Sequence, residues 1–515
     1  SKGFTVDAGE ASVILTGAIE GRDGLVTIHA ADTDNTESLG NIEVYGNVTS
    51  GTGAVSITTD GGSITLGKAT APIGIKAGTT ADIETDKGDI TIGGVLTTKK
   101  GAKILARTKG DLSINGKVAS EGGNVEVTTP EGTISLAKTA SEETIIDSAG
   151  TALIDTGAGN ILLDGNIESG LAATIDTAKG YISQAGDILS GGLLTIHASN
   201  PDEDETAGNI ILKGNVTSSG DAVSITTDDG SITIGENKKT KKVIAKKGIN
   251  LQTNNGDILM YGGAESGEDT TIQTTESGDI DITGKLAATG GSVSVLTEDG
   301  SISLSGEGED PVIDSSLNAA VSTGTSGDID ITNSIKAEGK AAITTYDGQI
   351  TLEGSMGTKK GILVEAKNSG DVSITGDLSS PDQVYSLTEG NITVSTANGD
   401  IDVTGNVDAY NNAELSGLEG HVNLTGDITS ESRSVWISAS DRNALDKDDG
   451  NINIQGSMTA PRNLTAATNN GTVQIGSDAA EESLKSSSLL IKTDNGDLRR
   501  YGNKRRSDHQ GRGNR

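Results

Sequence analysis

Cysteine is absent from this 515-residue chain, and Pro (6), His (4), Trp (1) and Phe (1) are scarce. Without Cys there is no disulfide framework, zinc–thiolate site, iron–sulfur cluster or cysteine nucleophile. That absence leaves the compartment open and is compatible with an oxidising exterior. Seven Tyr complete the aromatic set. An ordinary globular enzyme of this length buries many more aromatics, so the interior here must be aliphatic. Positive charge is short as well: 39 Lys+Arg stand against 73 Asp+Glu, a net charge of −34. Phosphate repels such a surface, which argues against nucleic acid as a partner. No apolar run reaches the ~18–20 residues that span a bilayer, which argues against direct membrane insertion. The chain opens SKGFTVDAGE, with neither Met nor an apolar leader, and reads as a mature or excised piece.

What is abundant is glycine, 72 residues, and it is periodic. A phrase Gly-x-Ile-x-Ile, often continued x-Gly-x-Val, recurs as GNIEVYGNV (40–48), GDITIGGVL (88–96), GDLSINGKV (110–118), GNILLDGNI (159–167), GNIILKGNV (208–216), GDIDITGKL (278–286), GDVSITGDL (370–378), GDIDVTGNV (399–407) and GNINIQGSM (450–458). The leading glycines 40, 62, 88, 110, 132, 159, 180 and 208 are spaced 22, 26, 22, 22, 27, 21 and 28 apart. From Gly208 the series repeats through 230, 256, 278, 300, 327 and 348, a shift of 168 residues. A seven-coil block, 40–207, is therefore duplicated as 208–375, with an irregular copy over 376–500.

Inside each phrase apolar residues alternate, as in Ile42/Val44, Val55/Ile57 and Ile64/Leu66. Period two means a strand with one face buried. Short strands bounded by Gly, Asp and Asn, at a period of ~21–30 residues, predict a right-handed parallel β-helix, a β-solenoid, of about 20 coils over 1–500. Glycine serves the corners, and proline is rare because ladder N–H groups are in use. Residues 501–515 are basic, lack alternation, and read as a disordered or junction end.

The GDITI-type coils resemble the passenger regions of bacterial filamentous-haemagglutinin-type exoproteins and autotransporter adhesins. That resemblance covers roughly residues 3–500. It implies a secreted right-handed β-helix at a bacterial surface, serving adhesion, matrix building or projection from the cell. The Asn-Pro-rich motifs of the family's secretion domain are not found near the start, nor is a C-terminal membrane barrel.

Several positions are candidate sites. Asp follows the corner glycine at Asp89, Asp111, Asp257, Asp279, Asp328, Asp371 and Asp400, and Asn does so at Asn41, Asn160, Asn209, Asn391 and Asn451. Their main reading is turn chemistry, in which the side chain bonds a backbone N–H. The alternative is calcium relieving the repulsion of carboxylates on successive coils. Acidic inserts precede three GNI phrases and contain Asp32, Asp34 and Glu37; Asp202, Glu203, Asp204 and Glu205; and Asp446, Asp448 and Asp449. Such oxygen-rich runs suit solvated loops or a calcium-bridged contact between neighbouring rods. Lys238, Lys239, Lys241, Lys242, Lys246 and Lys247 gather at another corner. They read either as charges that block strand aggregation or as partners for the acidic inserts of another copy. His29 and His197 are equivalent residues of the repeat, each in TIHA, which argues for an architectural role. Sequence spacing assembles no nucleophile–His–Asp grouping.

The leading expectation is a non-catalytic extracellular structural or adhesive protein of a bacterial cell surface. It needs no cofactor, with calcium the one candidate ion. It would self-associate laterally or end to end and could meet a host or neighbour-cell glycan. The alternative is a carbohydrate-active or carbohydrate-binding β-helix, for which Trp436 is the single tryptophan platform. Ice binding is third, because no flat Thr plane is evident.

Overall fold

The structure, a computed structural model, describes residues 3–31, 40–200, 208–236, 241–306, 308, 311–381, 389–440, 450–476 and 483–500. Its regular elements are all strands. The chain divides into two compact units, Ser1–Thr297 and Glu298–Arg515.

In the first unit each coil has three strand segments, separate in most coils and merged on two faces in the strand Ile90–Thr98. A representative coil runs through Ile64–Leu66, turns to Ile73–Ala77 and turns again into Thr80–Lys87. These strands belong to a second, a third and a first face. Every strand pairs in parallel with the strand one coil away. On the second face the register is Ile42↔Ile64↔Ile90↔Leu112↔Ile134↔Ile161↔Ile182↔Ile210. Those offsets are the glycine spacings of the sequence, so one period step is one coil and the expected β-solenoid is the fold.

Alternation puts one aliphatic side chain of each pair inside. Along the first face Ile83, Ile104, Val127, Ile154, Ile175 and Ile196 stack in register, each no more than 1% exposed. Burying one such side chain stabilises by about 1.5–3 kcal/mol, an upper figure because denatured chains already bury some surface. In most coils the last inward position of that strand is Thr, with Ala in others such as Ala106 and Ala198, and the Thr hydroxyl is satisfied. Thr59, Thr85 and Thr129 donate to the carbonyls of Gly40, Gly62 and Gly110 at 2.6, 2.8 and 3.0 Å. The core is thus greasy up to the corner, where in the Thr-bearing coils a hydroxyl closes the turn.

The corner demands glycine for two reasons. Gly110 has φ +148°, and a Cβ there would lie 1.9 Å from the carbonyl oxygen of Gly88 on the adjacent coil. A side chain would suffer both the backbone conformation and the close approach.

The second unit repeats this plan. Ile302, Ile329, Ile350 and Val372 align on its second face, and Val321, Ile343, Val364 and Val394 on its first. Thr345 and Thr396 donate to Gly327 O and Gly370 O at 3.1 and 2.8 Å. Asn333, with φ 105°, is the single non-glycine residue of positive φ among those described. Its side-chain amide donates to Gly308 O at 2.9 Å, the local bonding that lets Asn take a glycine's place.

Candidate functional site

The corner Asp and Asn residues form hydrogen-bonded ladders. In the first unit the backbone N–H of Asp111 donates to Asp89 Oδ1 at 2.9 Å, and that of Thr133 donates to Asp111 Oδ1 at 2.7 Å. The Asp279 N–H likewise meets Asp257 Oδ1 at 2.9 Å. Asn41 and Asn209 accept from Ser63 and Ser231, and those serines accept from Asp89 and Asp257. In the second unit Asp328, Asp371, Asp400 and Asn451 accept from Gln349, Asp400, His421 and Thr472 at 2.7–2.8 Å. Each side chain thus satisfies an amide of the next coil.

Asn391 accepts from Asn412 N at 3.0 Å but opens the first-face strand Asn391–Thr396. It sits at a different corner from the others, because the GNI phrase reads alike on every face. A further ladder, unremarked in the sequence, runs between the second and third faces. There Asp187 accepts from Asn215 and Asn215 from Lys242 in the first unit, and Asp377 accepts from Asn406 and Asn406 from Asp427 in the second.

Of the six lysines singled out, Lys238 and Lys239 lie outside the described residues. Three of the others face carboxylates of the same chain. Lys247 Nζ is 2.9 Å from Asp221, Lys242 Nζ pairs with Glu265, and Lys241 Nζ is 3.8 Å from Asp187. Lys246 is exposed. The hydrogen bond with Lys247 holds Asp221 below the usual carboxylate range, and the same bond raises Lys247. Exposed pairs of this kind are screened by solvent and add little to stability. Asp32, Asp34, Glu37, Asp202, Glu203, Asp204, Glu205, Asp446, Asp448 and Asp449 all lie outside the described residues. Among the described residues no group of three His, Asp or Glu side chains is placed to hold a metal ion, and no helix is long and apolar enough to cross a membrane.

The outward columns of the first face carry the remaining polar chemistry. Gln273 donates to Gln252 Oε1 at 2.8 Å in the first unit, and Thr344 donates to Ser322 Oγ at 2.9 Å in the second. A denser network joins Glu84 to Lys103 Nζ at 2.8 Å and to Arg107, which also reaches Asp86 at 3.2 Å. Burial and then the nearby Glu84 charge push the Asp82 carboxyl up.

One group in this column differs in kind. Asp155, Asp176 and His197 occupy one register position on three successive coils. His197 Nδ1 is 2.7 Å from Asp176 Oδ1, and Ser199 Oγ is 3.3 Å from His197 Nε2. The carboxylate only accepts, so Nδ1 carries the proton, and in the neutral ring Nε2 accepts from the serine hydroxyl. The hydrogen bond to Asp176 raises the imidazole above its ordinary range; burial opposes this, and the charges of Asp176 and Asp228 add to it. Burial, then Asp176, pushes the Asp155 carboxyl up. The equivalent His29 instead meets Thr58 Oγ1 at 3.0 Å, and Ala31 stands where the second copy has Ser199.

Sequence spacing missed this grouping. Its signal is a 21-residue step, one local coil, from Asp176 to His197, combined with the strand alternation that sets His197 and Ser199 on one side.

Two depressions in the second unit are lined by Lys340, Lys360, Asn391 and Thr393, and by Thr429, Glu431, Lys485 and Ser486. Neither contains histidine. No family model matches the chain, and no curated protein or solved structure matches it.

Proposed function

We propose that the chain is a non-catalytic structural or adhesive protein of a bacterial cell surface, secreted and exposed outside the cell. One observation carries the reading: the corner Asp, Asn, Ser and Thr side chains are spent on neighbouring backbone groups, as Asp111 is on Thr133. Polar residues so used build a scaffold. They are not gathered around a reacting molecule. The aliphatic interior and the acidic exterior, net −34, suit a secreted solenoid that stays dispersed until specific contacts form.

Self-association is assigned to the charged inserts, Asp202–Glu205 with Lys238 and Lys239, with calcium as the candidate bridging ion. Electron microscopy of the purified chain should reveal filaments or lattices. Reversing Lys238 and Lys239 should abolish them, and reversing Asp202–Glu205 in that background should restore them. Isolated particles under all conditions would refute assembly, and unchanged assembly in chelator would remove calcium.

A second reading is glycan binding. Trp436 is 57% exposed, and Glu414 and Thr465 flank it in register. An open indole between hydrogen-bonding neighbours suits stacking on a pyranose. As the chain's single tryptophan, it would report binding directly through its fluorescence. A spectrum unchanged by millimolar oligosaccharides would dismiss this reading.

A further inference from the structure

The Asp176–His197–Ser199 array is left unused by a scaffold role. It lies on the outside of the first face, where core packing does not prescribe the residue. His197 is about one-third exposed, so a reagent can reach it. Its two ring nitrogens are engaged as a relay needs, Nδ1 to a carboxylate at 2.7 Å and Nε2 to a hydroxyl at 3.3 Å. Roles and geometry define such a relay, whatever the fold that carries it. The 168-residue period supplies an internal contrast: Asp7 stands opposite His29 in register as Asp176 does opposite His197, but His29 Nδ1 meets Thr58 Oγ1 instead, and Ala31 replaces the serine.

We propose that Ser199 is a nucleophilic acyl acceptor, activated by His197 and dependent on Asp176 as a positioning residue. Ser199 Oγ attacks the carbonyl carbon of an activated ester while its proton passes to His197 Nε2. The bond from that carbon to the leaving oxygen breaks, and the leaving alcohol takes the proton from His197. The product is a serine ester, with no change of oxidation state.

Turnover is not part of the proposal. The backbone N–H of Ser199 itself is committed to Thr177 O at 2.9 Å. Without that donor, acylation still proceeds from an activated ester, whose leaving group is good, whereas hydrolysis of the unactivated serine ester is slow and the ester persists. The charged groups around the imidazole are acidic: Asp176 on the preceding coil, Asp228 on the following one, and Asp155 beyond Asp176. The acyl donor is therefore uncharged or cationic. The reading is compatible with a scaffold, since it makes the solenoid a point of covalent attachment.

The test uses the full chain and p-nitrophenyl acetate, an uncharged activated ester. One equivalent of p-nitrophenolate should be released as a burst. Peptide mass spectrometry should place a hydroxylamine-labile acetyl group on Ser199, distinct from stable amides on lysines, and none on the His29 strand. Ser199→Ala should abolish the labile label, and His197→Gln should slow it by about 10²-fold, the low end of general-base assistance. The labelling rate should rise with pH as His197 loses its proton, with a midpoint above the ordinary histidine value of ~6.5. Asp176→Asn should lower that midpoint as well as the rate, which a merely structural role would not do. Labile acetyl groups scattered over many hydroxyls, or a rate indifferent to His197→Gln, would overturn the proposal. The labelled position and the wild-type pH profile need no variant, so they decide the matter even where a substitution fails to fold.

Discussion

Asp111 offers a way to separate turn chemistry from ion binding by one atom. Its Oδ1 accepts the Thr133 N–H at 2.7 Å, and its own N–H donates to Asp89 Oδ1 at 2.9 Å. Two carboxylates one coil apart are ~4.8 Å apart along the stack. In water-like surroundings their repulsion is about 1 kcal/mol, less in salt. Asp111→Asn removes that repulsion and keeps the acceptor. Asp111→Ala removes both. The Asn and Ala variants therefore differ by the hydrogen bond alone, about 0.5–1.5 kcal/mol. Asn should equal or slightly exceed the parent at low salt, and Ala should fall below Asn by that amount. Hydrogen exchange at the Thr133 amide is the local readout and denaturant unfolding the global one, both with and without chelator. Equal stability of Asn and Ala would refute the ladder. A loss on Asp→Asn that appears only with calcium present would show that the carboxylate pair binds an ion.

Three further outcomes follow from the packing. Ile196→Ala, at a site 0% exposed between Ile175 and Ile225, should cost about 2–5 kcal/mol, with exchange protection lost mainly in the neighbouring coils because coils interact only with their neighbours. Gly110→Ala should destabilise by more than ~1 kcal/mol, since its Cβ would meet Gly88 O at 1.9 Å; unchanged thermal unfolding would contradict this. Asp155 is raised above the usual carboxylate range by burial and by Asp176. Stability is therefore lost as pH rises from its unfolded pKa through its folded one, so Asp155→Asn should stabilise at neutral pH and not below pH ~3.8, as thermal melts across pH would record.

The fold was legible because a solenoid writes its register into its spacing. The offset from Ile42 to Ile64 to Ile90 is the offset between their glycines, and alternation shows which side chains point inward. The corner acids were legible as turn formers on residue type. Their exact corner was less so: Asn391 follows Gly as Asn41 does, yet lies on another face, because Ile/Val alternation is the same on all three. The pairs Lys247–Asp221 and Lys242–Glu265 were hidden because each partner stands one coil away. A lysine's partner can be named only once register is known. The His197 array was hidden for the same reason, and because outward positions carry no hydrophobic signature to draw attention to them.

The duplication has one more consequence at the first face. Two copies of a strand, VTIHA at 26–30 and LTIHA at 194–198, keep the outward Thr and His and differ inward only in Val26 against Leu194, while the next outward position, just past the strand, is Ala31 in one and Ser199 in the other. A doubled block leaves one copy free to vary on the solvent side without threatening the spine. Novelty in such a protein can therefore arise by editing a spare, so that Ala31 and Ser199 stand as the old and the altered version, or the reverse, of a single position.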